Sequence, residues 1–211
     1  MTAAGRPNAP LPPTGWQTVG PFFPRTFFHE GDNDLTRRSA DAAPSTRGQR
    51  IRIHGRVLEQ DGRPCVNAVL EAWQADAAGR FRHPHDPEAH LADPDFLGWG
   101  RAWTDAEGHY EFRTLLPGAY RDRDGAMRAP HVNIAILASG VMAQLTTVLF
   151  FPEFAAANAD DPVLRSIPDP ALRALLVARE EDAAAEGDER VFRFDILVNG
   201  DAAEETPFFE E

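Results

Sequence analysis

From Ile51 the chain alternates: Ile51, Ile53 and Val57 are apolar, while Arg52, His54 and Arg56 are polar. This period of two predicts a half-buried strand. Asp61-Gly62 follows as a hairpin signal, and residues 66–73 read as a second, more buried strand. A turn through Asp76 and Gly79 leads to Phe81. Residues 109–114 form another strand, entered through Asp105 and Gly108, and Pro117-Gly118 turns the chain again. Residues 131–138 and 145–151 are β-rich runs joined by Ser139-Gly140. Phe192, Phe194, Ile196 and Val198 share one parity and predict a last strand. About seven short strands between turns predict an all-β sandwich, prealbumin-like or Ig-like.

One region reads as helix. Asp161-Pro162 and Asp169-Pro170 each place an N-cap before a proline at the first helical position. Leu172, Leu175, Leu176 and Arg179 follow at helical spacing, so a short helical insertion over about 160–180 precedes the last strand. Residues 180–190 are acidic and read as a solvated connector. Residues 1–48 are rich in Pro, Gly, Ser and Asp, with no sustained period. Yet Trp16, Phe22, Phe23, Phe27 and Phe28 lie there, more apolar area than a free tail displays. We read 1–48 as an arm, partly ordered on a partner or packed on its own body, and 49–211 as the sandwich.

Composition narrows the function classes. The 211 residues carry a net charge of −12, which opposes nucleic-acid binding. All 21 basic residues are Arg, which removes Schiff-base chemistry and a Walker-type phosphate loop. The single Cys65 excludes an internal disulfide. No run approaches a membrane span, and the first residues lack the apolar core of a secretory signal, so a cytoplasmic protein is expected.

The chemistry-bearing residues leave alternatives open. His83, His85 and His90 share a loop with Asp86, Glu88 and Asp93. Imidazole with carboxylate suits Fe, Zn or Mn, but a polar surface loop accounts for the same residues and is favoured. In His131-Val132-Asn133 the first and third positions face the same side of a strand. Two imidazoles there would form half a metal site, but Asn133 is a poor ligand. Tyr120 follows a turn opening towards His131; it could supply a phenolate, although a packed, hydrogen-bonded tyrosine is favoured. No Gly-x-Ser-x-Gly or Gly-x-Gly-x-x-Gly motif occurs.

An ordered series of motifs resembles the intradiol ring-cleavage dioxygenases. It comprises Leu70-Glu-Ala-Trp73-Gln-Ala-Asp76, Gly79-Arg-Phe81, Asp93-Pro-Asp-Phe96, Gly100-Arg101, Thr104-Asp105-x-x-Gly108-x-Tyr110-x-Phe112, Pro117-Gly-Ala-Tyr120 and Pro130-His131-Val-Asn133. The resemblance spans about Thr14 to Phe209. It implies a ferric iron site whose ligand positions, two Tyr and two His in catalytic members, fall here on Glu88, Tyr120, His131 and Asn133. Two of the four are replaced.

The resemblance therefore implies an iron-free alpha subunit, inactive alone, paired with a homologous iron-bearing beta subunit in a higher oligomer of alpha-beta heterodimers. Together they would cleave protocatechuate with dioxygen. Thr18, Gly20, Pro21 and Phe22 resemble the arm segment that reaches the partner's substrate pocket, and Ser139 falls at a pocket position where Arg can occur. The rival readings are a self-sufficient intradiol dioxygenase with an altered iron site, and a binding sandwich with no enzymatic role.

Overall fold

A computed structural model describes Phe23 and residues 27–139, 141, 143–182, 188–201 and 204–209. Thr18, Gly20, Pro21 and Phe22 lie outside the described residues. Two sheets face each other. The first contains β1 (Arg50–Glu59), β4 (His109–Leu115), β9 (Arg179–Glu181), β10 (Arg190–Arg193) and β11 (Ile196–Val198). The second runs β3 (Trp99–Trp103), β2 (Val69–Trp73), β7 (His131–Leu137), β8 (Leu145–Phe150). A hairpin of β5 (Tyr120–Arg121) and β6 (Met127–Arg128) stands apart. The all-β sandwich expected from the alternation is the observed fold. Among the described residues no helix is long and apolar enough to cross a membrane.

The core forms where the inner faces meet. Ile51, Ile53 and Val57 of β1 pack with Phe112, Leu70, Ile134, Ile136 and Phe192. β1 holds the first sheet together. It pairs antiparallel with β4 on one side, and on the other it runs parallel to β10 and then to β11. The changeover needs Gly55, since a Cβ there would lie 1.8 Å from the Phe194 carbonyl oxygen. The Tyr110 hydroxyl donates to that oxygen at 2.6 Å, which satisfies it inside the core.

Several details differ from expectation. The last strand is broken at Phe194–Asp195, and Asp195 accepts from the Arg56 amide at 3.0 Å where the ladder lapses. β2 begins at Val69 rather than at 66, because Asn67 takes a positive φ of 58° and turns the chain. β3 was not expected at all. The insertion is three short helices, α1 (Ala155–Asp160), α2 (Pro162–Ser166) and α3 (Pro170–Leu175). Asp161 and Asp169 cap α2 and α3 by accepting from the amides of Val163 and Ala171. The solvated connector instead starts as β9, whose three residues pair with β10.

The described part of the arm packs on its own body. The Leu35 amide donates to Arg113 at 2.8 Å and the Arg101 amide donates to Asp32 at 2.7 Å, so residues 32–35 bridge the edges of β4 and β3. Leu35 is fully buried between them.

Candidate functional site

Two tight turns meet back to back at one end of the second sheet. The Gly118 amide donates to the Asp76 carbonyl at 2.9 Å. Gly79, at a φ of +75°, leaves no room for a side chain: a Cβ would lie 2.0 Å from the Ala119 carbonyl oxygen. The buried Asp76 carboxylate accepts from the amides of Ala78, Arg80 and Asp93 at 2.9, 3.0 and 2.8 Å. These contacts fix the segments that carry Phe81 and Tyr120.

The rings then form a continuous row. Trp73 stacks on Phe81 at 6.1 Å, Phe81 meets Tyr120 edge-on at 4.8 Å, and Tyr120 faces His131 at 5.5 Å. In front lies an open cleft of about 940 Å³ lined by Trp73, Phe81, His83, Glu88, Tyr120 and Met127 among others. Behind it, Arg128 lies opposite Tyr120 in the β5–β6 register. Its Nε donates to Asp161 at 3.0 Å, and Asp161 also accepts from the Ala129 amide at 2.9 Å. One buried carboxylate thus ties the Tyr120 hairpin to the helical insertion.

His131 opens β7 and is buried. Its Nδ1 lies 2.6 Å from the Ala129 carbonyl oxygen and must donate to it, so Nε2 carries the lone pair. The Tyr120 hydroxyl, 3.3 Å from Nε2, donates to it. Burial, helped by the Arg128 cation, lowers the imidazole from its ordinary 6.5 to about 4. Burial also raises the Tyr120 phenol above the ordinary phenol range. The pair is neutral at physiological pH.

Ferric iron is the cofactor the fold family uses, and these residues do not fit it. Tyr120 and His131 could offer a phenolate and an Nε2 lone pair once the proton between them left, as metal binding requires of any such pair, but the other two positions fail. Glu88 lies in the same cleft as Tyr120, but its exposed carboxylate is paired with Arg80. Asn133 sits on the same face of β7 as His131, opposite Trp73, and its neutral amide adds no charge. The structure therefore brings Glu88, Tyr120, His131 and Asn133 to one region without making a ferric site of them.

Ser139 is exposed just beyond the far end of β7 from His131, away from the Tyr120–His131 pair. His83 and His85 meet edge-on at 5.1 Å, the His85 amide donating to His83 Nδ1, and His90 lies in a separate helical turn. Among the described residues the one grouping of three possible ligand side chains is Asp105, Glu107 and His109, all exposed. There Asp105 caps its own turn, accepting from the amides of Glu107 and His109, and these bonds lower its carboxyl pKa. The sequence reading missed the Arg128–Asp161 tie; the Asp-Pro signal reveals the cap but not the distant cation.

A dioxygenase family model matches residues 19–200. The chain is 35% identical over 207 residues to the protocatechuate 3,4-dioxygenase alpha chain of Burkholderia cepacia, covering 95% of this chain and 98% of that one. It is 37% identical over 171 residues to the beta chain of the same species' enzyme, covering 80% of this chain and 72% of that one. An intradiol ring-cleavage dioxygenase from Tetranychus urticae shares the fold, with a TM-score of 0.59 at 20% identity, covering 87% of this chain and 92% of that one.

Proposed function

We propose, since the chain belongs to the intradiol ring-cleavage dioxygenase family, that it is the iron-free alpha subunit of a protocatechuate 3,4-dioxygenase. The observation that carries this reading is that two of the four ligand positions are poor donors for a ferric ion: Glu88 is exposed and paired with Arg80, and Asn133 offers a neutral amide. The partner is a homologous sandwich that holds the ferric iron, and the pairs assemble further. The reaction joins 3,4-dihydroxybenzoate and dioxygen into 3-carboxy-cis,cis-muconate, both oxygen atoms entering the product. This chain's own part is to wall the partner's pocket with Thr18, Gly20, Pro21 and Phe22, with Ser139 as a further pocket position, and to exclude water. Gly20 allows close backbone approach, and Pro21 fixes the chain without offering a donor.

Co-expression with a homologue that has both Tyr and both His tests the reading. The expected complex binds iron in proportion to the homologue and consumes oxygen with protocatechuate, while the isolated chain binds no stoichiometric iron and stays colourless. A red-brown, ring-cleaving isolated chain would identify a self-sufficient dioxygenase instead.

A further inference from the structure

Leu145-Thr-Thr-Val-Leu-Phe-Phe151 contains no charge, glycine or proline, and all but its leucines are β-branched or aromatic. Such a segment pairs readily with copies of itself when it lies at a sheet edge. Residues 145–150 are β8, the edge strand of the second sheet. Its hydrogen-bonding groups alternate between β7 and the outside. At Phe150 they face outward: the amide donates to the Leu176 carbonyl at 2.8 Å, and the carbonyl accepts from the Ala178 amide at 2.9 Å. Thr146 has the same parity, so its groups face outward too.

The Thr146 end of this edge is covered by residues 204–209. The Phe209 amide donates to the Thr146 carbonyl at 2.8 Å, and the Thr147 hydroxyl donates to the Pro207 carbonyl at 2.8 Å. The same segment covers an edge of the first sheet. The Thr206 amide donates to the Leu197 carbonyl of β11 at 3.2 Å, and the Thr206 hydroxyl accepts from the Leu197 amide at 2.9 Å. Phe208 packs on the core between the sheets, and Phe209 on a second apolar cluster that includes Val148, Phe150 and Leu176. Both rings are only half-buried, and Thr206 is the buried residue among these six. Four hydrogen bonds and two half-buried rings make a contact that opens more easily than the sandwich beneath it.

We propose that residues 204–209 are a guard strap on β8. Docked, the strap blocks the edge. Released by local opening, it leaves β8 free to pair antiparallel with β8 of a second copy of this chain, the same edge meeting itself across a two-fold axis. The inference stands on the fold and does not depend on the alpha-subunit reading.

The test uses the full chain and two strap variants. F209S removes the docking ring. T206V removes only the hydroxyl that accepts from Leu197, so it serves if F209S does not fold. T146K, added to either, places a charge on the edge strand, a change that opposes strand pairing. Hydrogen exchange reads the strap. Sedimentation velocity and thioflavin T fluorescence read association, all at a temperature well below each variant's melting midpoint. The expected result is exchange at the Leu197 and Phe209 amides faster by about fivefold or more, as loss of one hydrogen bond gives. Self-association should quicken with it, and T146K should return association to the parent's rate while the strap amides stay fast. Faster strap exchange with association no quicker than the parent's would overturn the proposal. Association that T146K leaves unchanged would overturn it as well, because the joining surface would then lie away from β8. Unchanged exchange in both variants would show that neither group holds the strap, which also overturns it.

Discussion

His131 lies between the rings of Tyr120 and Phe150, at 5.5 and 5.6 Å, with no open side on which water could solvate a charge. Its pKa falls from 6.5 to about 4 on folding, so between those values the unfolded chain holds a proton that the folded chain does not. Stability is then fully present above about 6.5 and declines as pH falls through that window, by on the order of 3 kcal/mol. Urea unfolding across pH 7 to 4 should show this slope, reduced in H131Q. An equal slope in the variant would mean that carboxylates alone set the acid limit. At Gly55 the constraint is steric. A methyl group 1.8 Å from a backbone oxygen cannot be relieved by a side-chain rotation, so Gly55→Ala should cost more than about 3 kcal/mol or leave the chain insoluble. The frame of the site was legible at this scale, since His131 and Asn133 share a face as their spacing requires. The Tyr120–His131 hydrogen bond was not legible, because it joins a two-residue hairpin strand to β7 through a turn whose geometry depends on Asp161.

The two Asp-Pro caps show what an element inherits from its surroundings. Asp161 and Asp169 have the same sequence signature and the same capping bond, at 2.9 and 2.8 Å. Asp169 is exposed, and Asp169→Ala should cost about 1 kcal/mol. Asp161 is fully buried and also balances Arg128, whose side chain is 12% exposed. Asp161→Ala should cost about 3–5 kcal/mol, because it strands a buried guanidinium as well as uncapping α2. Faster amide exchange at Ala129 and along the β5–β6 hairpin would accompany it. Similar costs for the two variants would show that the buried pair contributes no more than the cap. Strand legibility has an equally local cause. β1 was readable because its apolar residues face inward at every second position. β3 was not, because its inward residues are Gly100 and Ala102, small enough to admit Leu35, while Trp99, Arg101 and Trp103 point outward to hold the arm. Its pattern of large and small is the reverse of the one that marks a strand.

Among the described residues, ion pairs and exposed apolar groups are unevenly shared between the two sheets. The outer face of the first carries Arg52, His54, Glu111, Arg113, Glu181 and Arg193, largely joined in ion pairs. The second sheet and its cleft carry Trp73, Leu91, Leu97, Trp103 and Met127, each between 37% and 50% exposed. Exposed apolar groups of this kind are the surface features that protein partners commonly cover. On the alpha-subunit reading, this is where the homologous sandwich docks, and the paired face of the first sheet stays in water. Trp103→Glu should then weaken the complex by on the order of tenfold or more in Kd, a loss typical of a central aromatic anchor. Because Trp103 also supports Phe28, Met127→Glu is the independent check, being 49% exposed and outside the aromatic cluster of the arm. Arg179→Glu, on the first sheet and 75% exposed, should leave Kd within about a factor of two, as rim and distant charges do. Sedimentation velocity of the mixed chains measures all three. If Arg179→Glu disrupts the complex while Trp103→Glu and Met127→Glu assemble normally, the docking face is the charged one and the orientation argued from exposed apolar surface is wrong.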